Sequence, residues 1–183
     1  MKKIPCIFEI DYSDRSNPKV MGWKETCLWV QKGEGVATRK FDGTAVLFKD
    51  GWLWRRYDAK HGKIPPIGFV PAQDPDPITR HYPGWIPLEA KNPSDKYFFE
   101  ASIKETLVDG QTYELCGPKV QGNPEKFDTH VLIKHGSEIL EDFPRDLEGM
   151  KLVLSKLDIE GVVFHRGNGE MGKITKKHLG LKR

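Results

Sequence analysis

The chain of 183 residues has little cysteine, three in all. Cys6, Cys27 and Cys116 lie far apart and no Cys-x-x-Cys occurs. That excludes a disulfide framework and the usual zinc-ligand spacing, and it leads us to expect reduced thiols in a cytoplasmic setting. Charge of one sign is also missing. Twenty-nine Lys and Arg against 26 Asp and Glu leave a net charge of +3. Such a balance does not announce a polyanion binder, although it permits a local basic groove. Long apolar runs are absent as well. The start, MKKIPCIFEIDYSD, is basic and then apolar, but Glu9 and Asp11 cut it too early for a secretion signal. No stretch approaches the roughly 20 residues of a membrane helix. We therefore expect a soluble intracellular protein with no membrane partner. There is no internal repeat and no low-complexity tract. An apolar fraction of 38% suffices for a core, and the length suits a single domain.

The chain does have 13 prolines and 18 glycines. Many of them crowd residues 58 to 88, as in Lys63-Ile64-Pro65-Pro66-Ile67-Gly68-Phe69. Prolines supply no ladder donors, so this stretch reads as a long ordered loop rather than sheet. Phe69, Tyr82 and Trp85 can anchor it to the body. Residues 1 to 33 read as an irregular lead-in with a short strand near Ile7 to Ile10. From Val36 the pattern becomes β. Strands are expected at Ala45 to Phe48, Trp52 to Tyr57, Gln111 to Cys116, Thr129 to Lys134, Ile159 to His165 and Gly172 to Thr175. Ser94 to Leu107 reads as a helix with Ser94 as its N-cap. Leu147, Met150, Leu154 and Leu157 recur at helical spacing, so residues 145 to 157 read as an amphipathic helix. The sum is an α+β fold of mainly antiparallel sheets with flanking helices.

Five segments carry groups able to do chemistry. Lys40-Phe41-Asp42-Gly43 sets a lysine after the β-prone Val36-Ala37-Thr38-Arg39 and before an Asp-Gly turn. Such a lysine can present its amine at the mouth of a sheet. Trp54-Arg55-Arg56-Tyr57-Asp58 ends a strand expected to pair beside the Lys40 region. Tyr113-Glu114-Leu115 and Glu160-Gly161-Val162-Val163 each put a carboxylate among apolar strand residues. Lys173-Ile174-Thr175-Lys176-Lys177 places a lysine on the last strand. Taken singly, each has an ordinary surface role. Taken together they form an order: Lys-x-Asp-Gly, then Arg, a strand Glu, Glu-Gly-x-Val, and Lys.

That order resembles the covalent nucleotidyltransferases, the ligases and capping enzymes. The stretches TRKFDGTAVLF, WLWRRYDAKHG, HYPGWIPLE, YELCGPKVQGNPEKF, HVLIKHG and IEGVVFHRGNGEMGKITKKHLGL sharpen it. They are similar to the ATP-dependent RNA ligases of the vertebrate 5′-to-3′ type, with bacterial and phage relatives. The segments around GNP and HLGL are more specific to this family than the general ligase motifs are. The resemblance runs from about residue 36 to the C-terminus.

The resemblance implies a single adenylation domain of the nucleotidyltransferase type over residues 1–183, with no OB-fold. It implies an enzyme of RNA repair that uses ATP with Mg²⁺ or Mn²⁺, joins RNA ends and needs no obligate protein partner. Lys40 would be the nucleophile and become lysyl-AMP. Lys173 would contact the α-phosphate, and Glu160 would hold the metal, directly or through water. Glu114 would bind the ribose or help the metal. Arg56 would lie near the ribose or the RNA phosphate, and Asp42 would act in activating RNA ends. Val163 and the backbone near Arg39 would frame the adenine. Arg55, Lys176 and Lys177 would face RNA, with the tail from Met171 and the proline-rich loop. One departure from the common pattern is Thr175, where many ligases carry a second lysine two residues after the first. The competing readings are a DNA ligase or capping-type transferase, and a non-catalytic protein that binds nucleic-acid ends.

Overall fold

The computed structural model describes residues 1–14 and 16–183. Its elements begin with β1 (Phe8–Asp11), β2 (Lys19–Trp23), α1 (Leu28–Gln31), β3 (Val36–Lys40), β4 (Thr44–Lys49) and β5 (Trp52–Ala59). There follow β6 (Val70–Pro71), β7 (Tyr82–Pro87), α2 (Lys96–Ser102), β8 (Thr112–Cys116) and β9 (Val131–Lys134). The chain closes with α3 (Leu147–Lys156), β10 (Gly161–His165) and β11 (Met171–Thr175). The fold is α+β, and its strand pairings are antiparallel. No helix of the described residues is long and apolar enough to cross a membrane. The three cysteines are joined by no disulfide.

The chain divides into two compact units. One comprises Met1–Lys3 and Asp42–His135, the other Ile4–Phe41 and Gly136–Arg183. The first unit is built on a six-stranded sheet in the order β6-β7-β5-β4-β8-β9. Val46, Leu53, Tyr113, Leu115 and Leu132 from its strands pack with Phe98 and Ala101 of α2. Tyr113 and Leu115, two residues apart on β8, turn the same face to that core.

The proline-rich stretch differs from expectation, because it contains two strands. β7 pairs with β5 over six residues, Pro87 opposite Trp54 through to Tyr82 opposite Ala59. β6 adds to its other side. The prolines are tolerated for a geometric reason. The carbonyl of Pro83 accepts from Ala72 N–H at 3.0 Å, on the side away from β5. Its missing N–H therefore takes nothing from the β5 ladder. The residues ahead of β3 also differ from an irregular lead-in, since β1 and β2 form a hairpin and α1 follows. β5 pairs with β4, the strand that follows Lys40-Phe41-Asp42-Gly43, and with β7. The helix expected over Ser94 to Leu107 is shorter. Asn92 caps a 3₁₀ turn by accepting from Ser94 N–H, and α2 ends at Ser102.

The second unit holds a three-stranded sheet, β11-β10-β3, and the β1-β2 ribbon. Ala37, Val162, Phe164 and Ile174 turn one face of that sheet into the core. Met150 and Leu154 of α3 meet them there, fully buried. α3 starts at Asp146, whose side chain accepts from Gly149 N–H at 2.8 Å. Glu148 in its first turn and Lys156 in its last suit the helix dipole. The residues ahead of β1 run beside β11. Ile7 N–H donates to Lys173 O and Lys173 N–H donates to Pro5 O, both at 2.9 Å.

Candidate active site

The register of the three-stranded sheet assembles the candidate residues. Lys40 on β3 and Thr175 on β11 both lie opposite Gly161 on β10. Thr38 and Lys173 both lie opposite Val163. Opposite residues share a face, and so do alternate residues along a strand. Lys40, Thr38, Val163, Lys173 and Thr175 therefore stand on one face, while Ala37, Val162, Phe164 and Ile174 fill the core behind. Gly161 is the tight point. A Cβ there would lie 2.2 Å from Ile174 O.

The ammonium of Lys40 is in direct ion-pair contact with the carboxylate of Glu160, and it also donates to Phe41 O at 3.3 Å. Both side chains of the pair are about a quarter exposed. Glu160 is fixed from behind by Lys176 N–H, which donates to its carbonyl at 2.9 Å. Thr38 Oγ1 donates to Val163 O at 3.2 Å, and His165 Nε2 meets that hydroxyl at 3.0 Å. Arg39 leans away over the Phe41 ring and pairs with Glu138 at 3.3 Å.

A 3₁₀ turn, Lys176–Leu179, follows β11. Thr175 and His178 cap it reciprocally. His178 N–H donates to Thr175 Oγ1, while Thr175 N–H donates to His178 Nδ1 at 3.1 Å. Burial, then the positive charges of Lys173, Lys177 and Lys40, push the His178 imidazolium down to about 4. Lys177 is exposed, but Lys176 is buried and so is not on the surface where RNA contact was expected.

The other candidates lie in the first unit. Glu114 sits on β8, nearly buried, with both carboxylate oxygens engaged. Oε1 accepts from Gly43 N–H at 3.1 Å, and Oε2 meets His135 Nε2 at 2.8 Å. The other ring nitrogen of His135 meets Thr112 Oγ1 at 2.8 Å. Asp42 N–H donates to Glu125 at 2.8 Å. Two carboxylates thus hold consecutive N–H groups of the Asp42-Gly43 turn. Gly43 is required there, since a Cβ would meet Leu115 O at 2.1 Å.

Arg56 on β5 donates to Met1 O at 2.7 Å and stacks over Trp85. Its burial lowers the guanidinium below its ordinary value. Arg55 turns instead toward the buried Asp95, at 3.6 Å. Glu125, His135, Thr112 and His178 were given no role from the sequence. Three of them fall in stretches quoted above, GNPEKF, HVLIKHG and HLGL. Nothing in a linear pattern says that a glutamate accepts a distant backbone N–H. Among the described residues no three His, Cys, Asp or Glu side chains cluster as a metal site.

Comparison with known proteins finds similarity to RNA ligases. Residues 101–183 match the family described as RNA ligase 1. The matched span includes Glu114, Glu160, Lys173 and His178. An RNA ligase 1 from Pongo abelii is 24% identical over 265 positions, which cover 98% of this chain and 81% of that protein. Those from Rattus norvegicus and Mus musculus are each 29% identical over 136 residues, covering 55% of this chain. That alignment spans about two fifths, 41%, of the length of each of these rodent relatives. The chain thus resembles the RNA ligase 1 family, of the vertebrate type.

Proposed function

We propose that this chain is an ATP-dependent RNA ligase that works through lysyl-AMP, and that residues 1–183 form one nucleotidyltransferase domain. The observation that carries the reading is the face of the three-stranded sheet. It presents Lys40 and Lys173 together, with Glu160 in contact with Lys40. Lys40 Nζ attacks the α-phosphorus of ATP, the bond to pyrophosphate breaks, and a phosphoramidate forms. The RNA 5′-phosphate then displaces Lys40 and takes the AMP. Finally the 3′-hydroxyl of the second end attacks that phosphate, AMP leaves, and a phosphodiester joins the ends.

A lysine amine attacks only in its neutral form, so Lys40 must shed its proton to attack. The Glu160 carboxylate is seated to accept it. Lys173 contributes a second positive charge on the same face for the phosphate. Phosphoryl transfer asks mainly for positioning and charge neutralisation. The partly exposed carboxylate of Glu160 is the kind of oxygen donor that Mg²⁺ takes, one or two per ion. Bound there, Mg²⁺ or Mn²⁺ would neutralise phosphate charge. Glu114 would bind the ribose or supply a further metal oxygen. Val163 would border the adenine. Arg56 would contact the ribose or RNA phosphate, and Asp42 would act on the RNA ends. Lys177 is the exposed basic residue best suited to RNA.

The test is incubation with ATP labelled at the α-phosphate and Mg²⁺, followed by a denaturing gel and intact mass. The wild type should carry one AMP, and Lys40→Ala none. Absence of an adduct from folded, AMP-free wild-type protein would overturn the ligase reading in favour of a non-catalytic end-binding protein.

A further inference from the structure

His178 stands in the HLGL segment, which no step above uses. The capping box it forms with Thr175 has the pattern Thr-x-x-His. The usual residue at its place is Glu or Gln, whose side chain reaches back to the N-cap N–H. Glutamine would satisfy that N–H with a neutral acceptor, and glutamate would add an acid beside the lysines. Histidine does the capping with one nitrogen and has a second to spare.

The hydrogen bonds fix which nitrogen is which. Nδ1 accepts from Thr175 N–H at 3.1 Å, so Nδ1 bears a lone pair. In the neutral ring the proton is then on Nε2. The ring is held at the end of β11, next to Thr175. Thr175 lies two strands from Lys40 in register across Gly161, about 10 Å at ordinary strand spacing. Lys173 shares that face of the sheet. Lys40, Lys173 and Lys177 are all near enough to act on the ring electrostatically. A neutral donor among three cations has one natural complement, an anion with several oxygens. The backbone N–H of Thr175 that donates to Nδ1 orients the ring in advance, so little freedom is lost when such an anion arrives.

We infer that His178 is a nucleotide-binding residue of this chain, whose Nε2–H donates to the phosphate oxygens of ATP beside Lys173. The inference rests on the proposed ligase reading and adds to it a phosphate donor that is neutral. That donor adds no positive charge beside the amine of Lys40, which has to lose its own.

The decisive variant is His178→Gln, since glutamine keeps an acceptor for Thr175 N–H and removes the imidazole donor. Adenylylation rate against ATP concentration, ATP and adenosine affinity by calorimetry without metal, and melting temperature would be measured. Thr175→Ala serves as comparator, because it weakens the cap and leaves the imidazole in place. We expect His178→Gln to weaken ATP about tenfold, the ordinary scale for one hydrogen bond to a charged group. Adenosine binding should not change, and Thr175→Ala should lower the melting temperature while binding ATP as the wild type does. Wild-type ATP affinity and rate in His178→Gln would overturn the inference and leave the ligase reading intact. Equal loss of ATP and adenosine, or a loss matched by Thr175→Ala, would overturn it too, as a purely structural effect. A wild type that takes no label from ATP would instead remove the ligase reading, and the inference with it.

Discussion

Lys40 and Glu160, 120 residues apart in sequence, are brought into ion-pair contact by one strand register, Lys40 opposite Gly161. Both side chains are about a quarter exposed, and the desolvation of such a pair offsets much of its Coulomb gain. In the proposed reaction its value lies in chemistry. Glu160→Gln should therefore keep the melting temperature within a few degrees of wild type. Its rate of AMP transfer to Lys40 should fall about 100-fold, the scale for losing one preorganised electrostatic group. Single-turnover labelling beside a thermal melt measures both. A large fall in melting temperature would mean that the pair is structural.

Gly43→Ala should be among the most damaging single substitutions in the first unit. Its Cβ would lie 2.1 Å from Leu115 O, backbone that cannot swing aside. The N–H that binds Glu114 would be displaced with it. We expect a loss of about 2–4 kcal/mol in urea unfolding. Gly167→Ala is the control, with nothing within 4 Å of the added methyl, and should be near neutral.

His135→Ala should cost about 1–3 kcal/mol, because it leaves a nearly buried Glu114 oxygen without its partner. Thr112→Val acts on the same chain of bonds through the other ring nitrogen. The double variant should therefore lose less than the two single losses added. Simple additivity in a double-mutant cycle would mean that the three residues do not act together.

His178 gives stability a pH dependence of definite sign. Its ordinary value is 6.5 and burial, with the neighbouring lysines, takes it to about 4 in the folded chain. As pH falls, the unfolded chain binds this proton first. The contribution is thus fully present above about pH 6.5 and is lost progressively between 6.5 and 4. His178→Gln should melt with a shallower pH dependence across that window, and the two proteins should converge toward pH 4. Parallel melting curves from pH 7 to pH 4 would contradict the assignment.

Much of this was legible in the sequence, and the misses have physical causes. β3 was expected from Val36, and α3 over residues 145 to 157, close to Leu147–Lys156, because Met150 and Leu154 have an unambiguous helical period. β8 and β11 were placed within a residue. β7 was hidden because Pro83 and Pro87 argue against a strand unless one knows which side their missing N–H groups would face. That depends on β5 and β6, which a local pattern does not contain. Lys176 looked like surface by its charge, yet the 3₁₀ turn after Thr175 buries it. Glu125 and His178 are silent in sequence because their partners are backbone N–H groups.

The run of Pro5 to Ile7 along β11 has a consequence for how the molecule is made. The backbone of Lys173 is held by Pro5 and Ile7, which lie far ahead of it in sequence. Contacts so distant in sequence form slowly, since the loop between them must close first. The sheet that carries Lys40 is likewise incomplete until residue 175 has been synthesised. A nascent or truncated chain would hold its lysine without the carboxylate and the second cation beside it. The proposed nucleotide chemistry would then wait until the face that carries Lys40, Glu160 and Lys173 is complete.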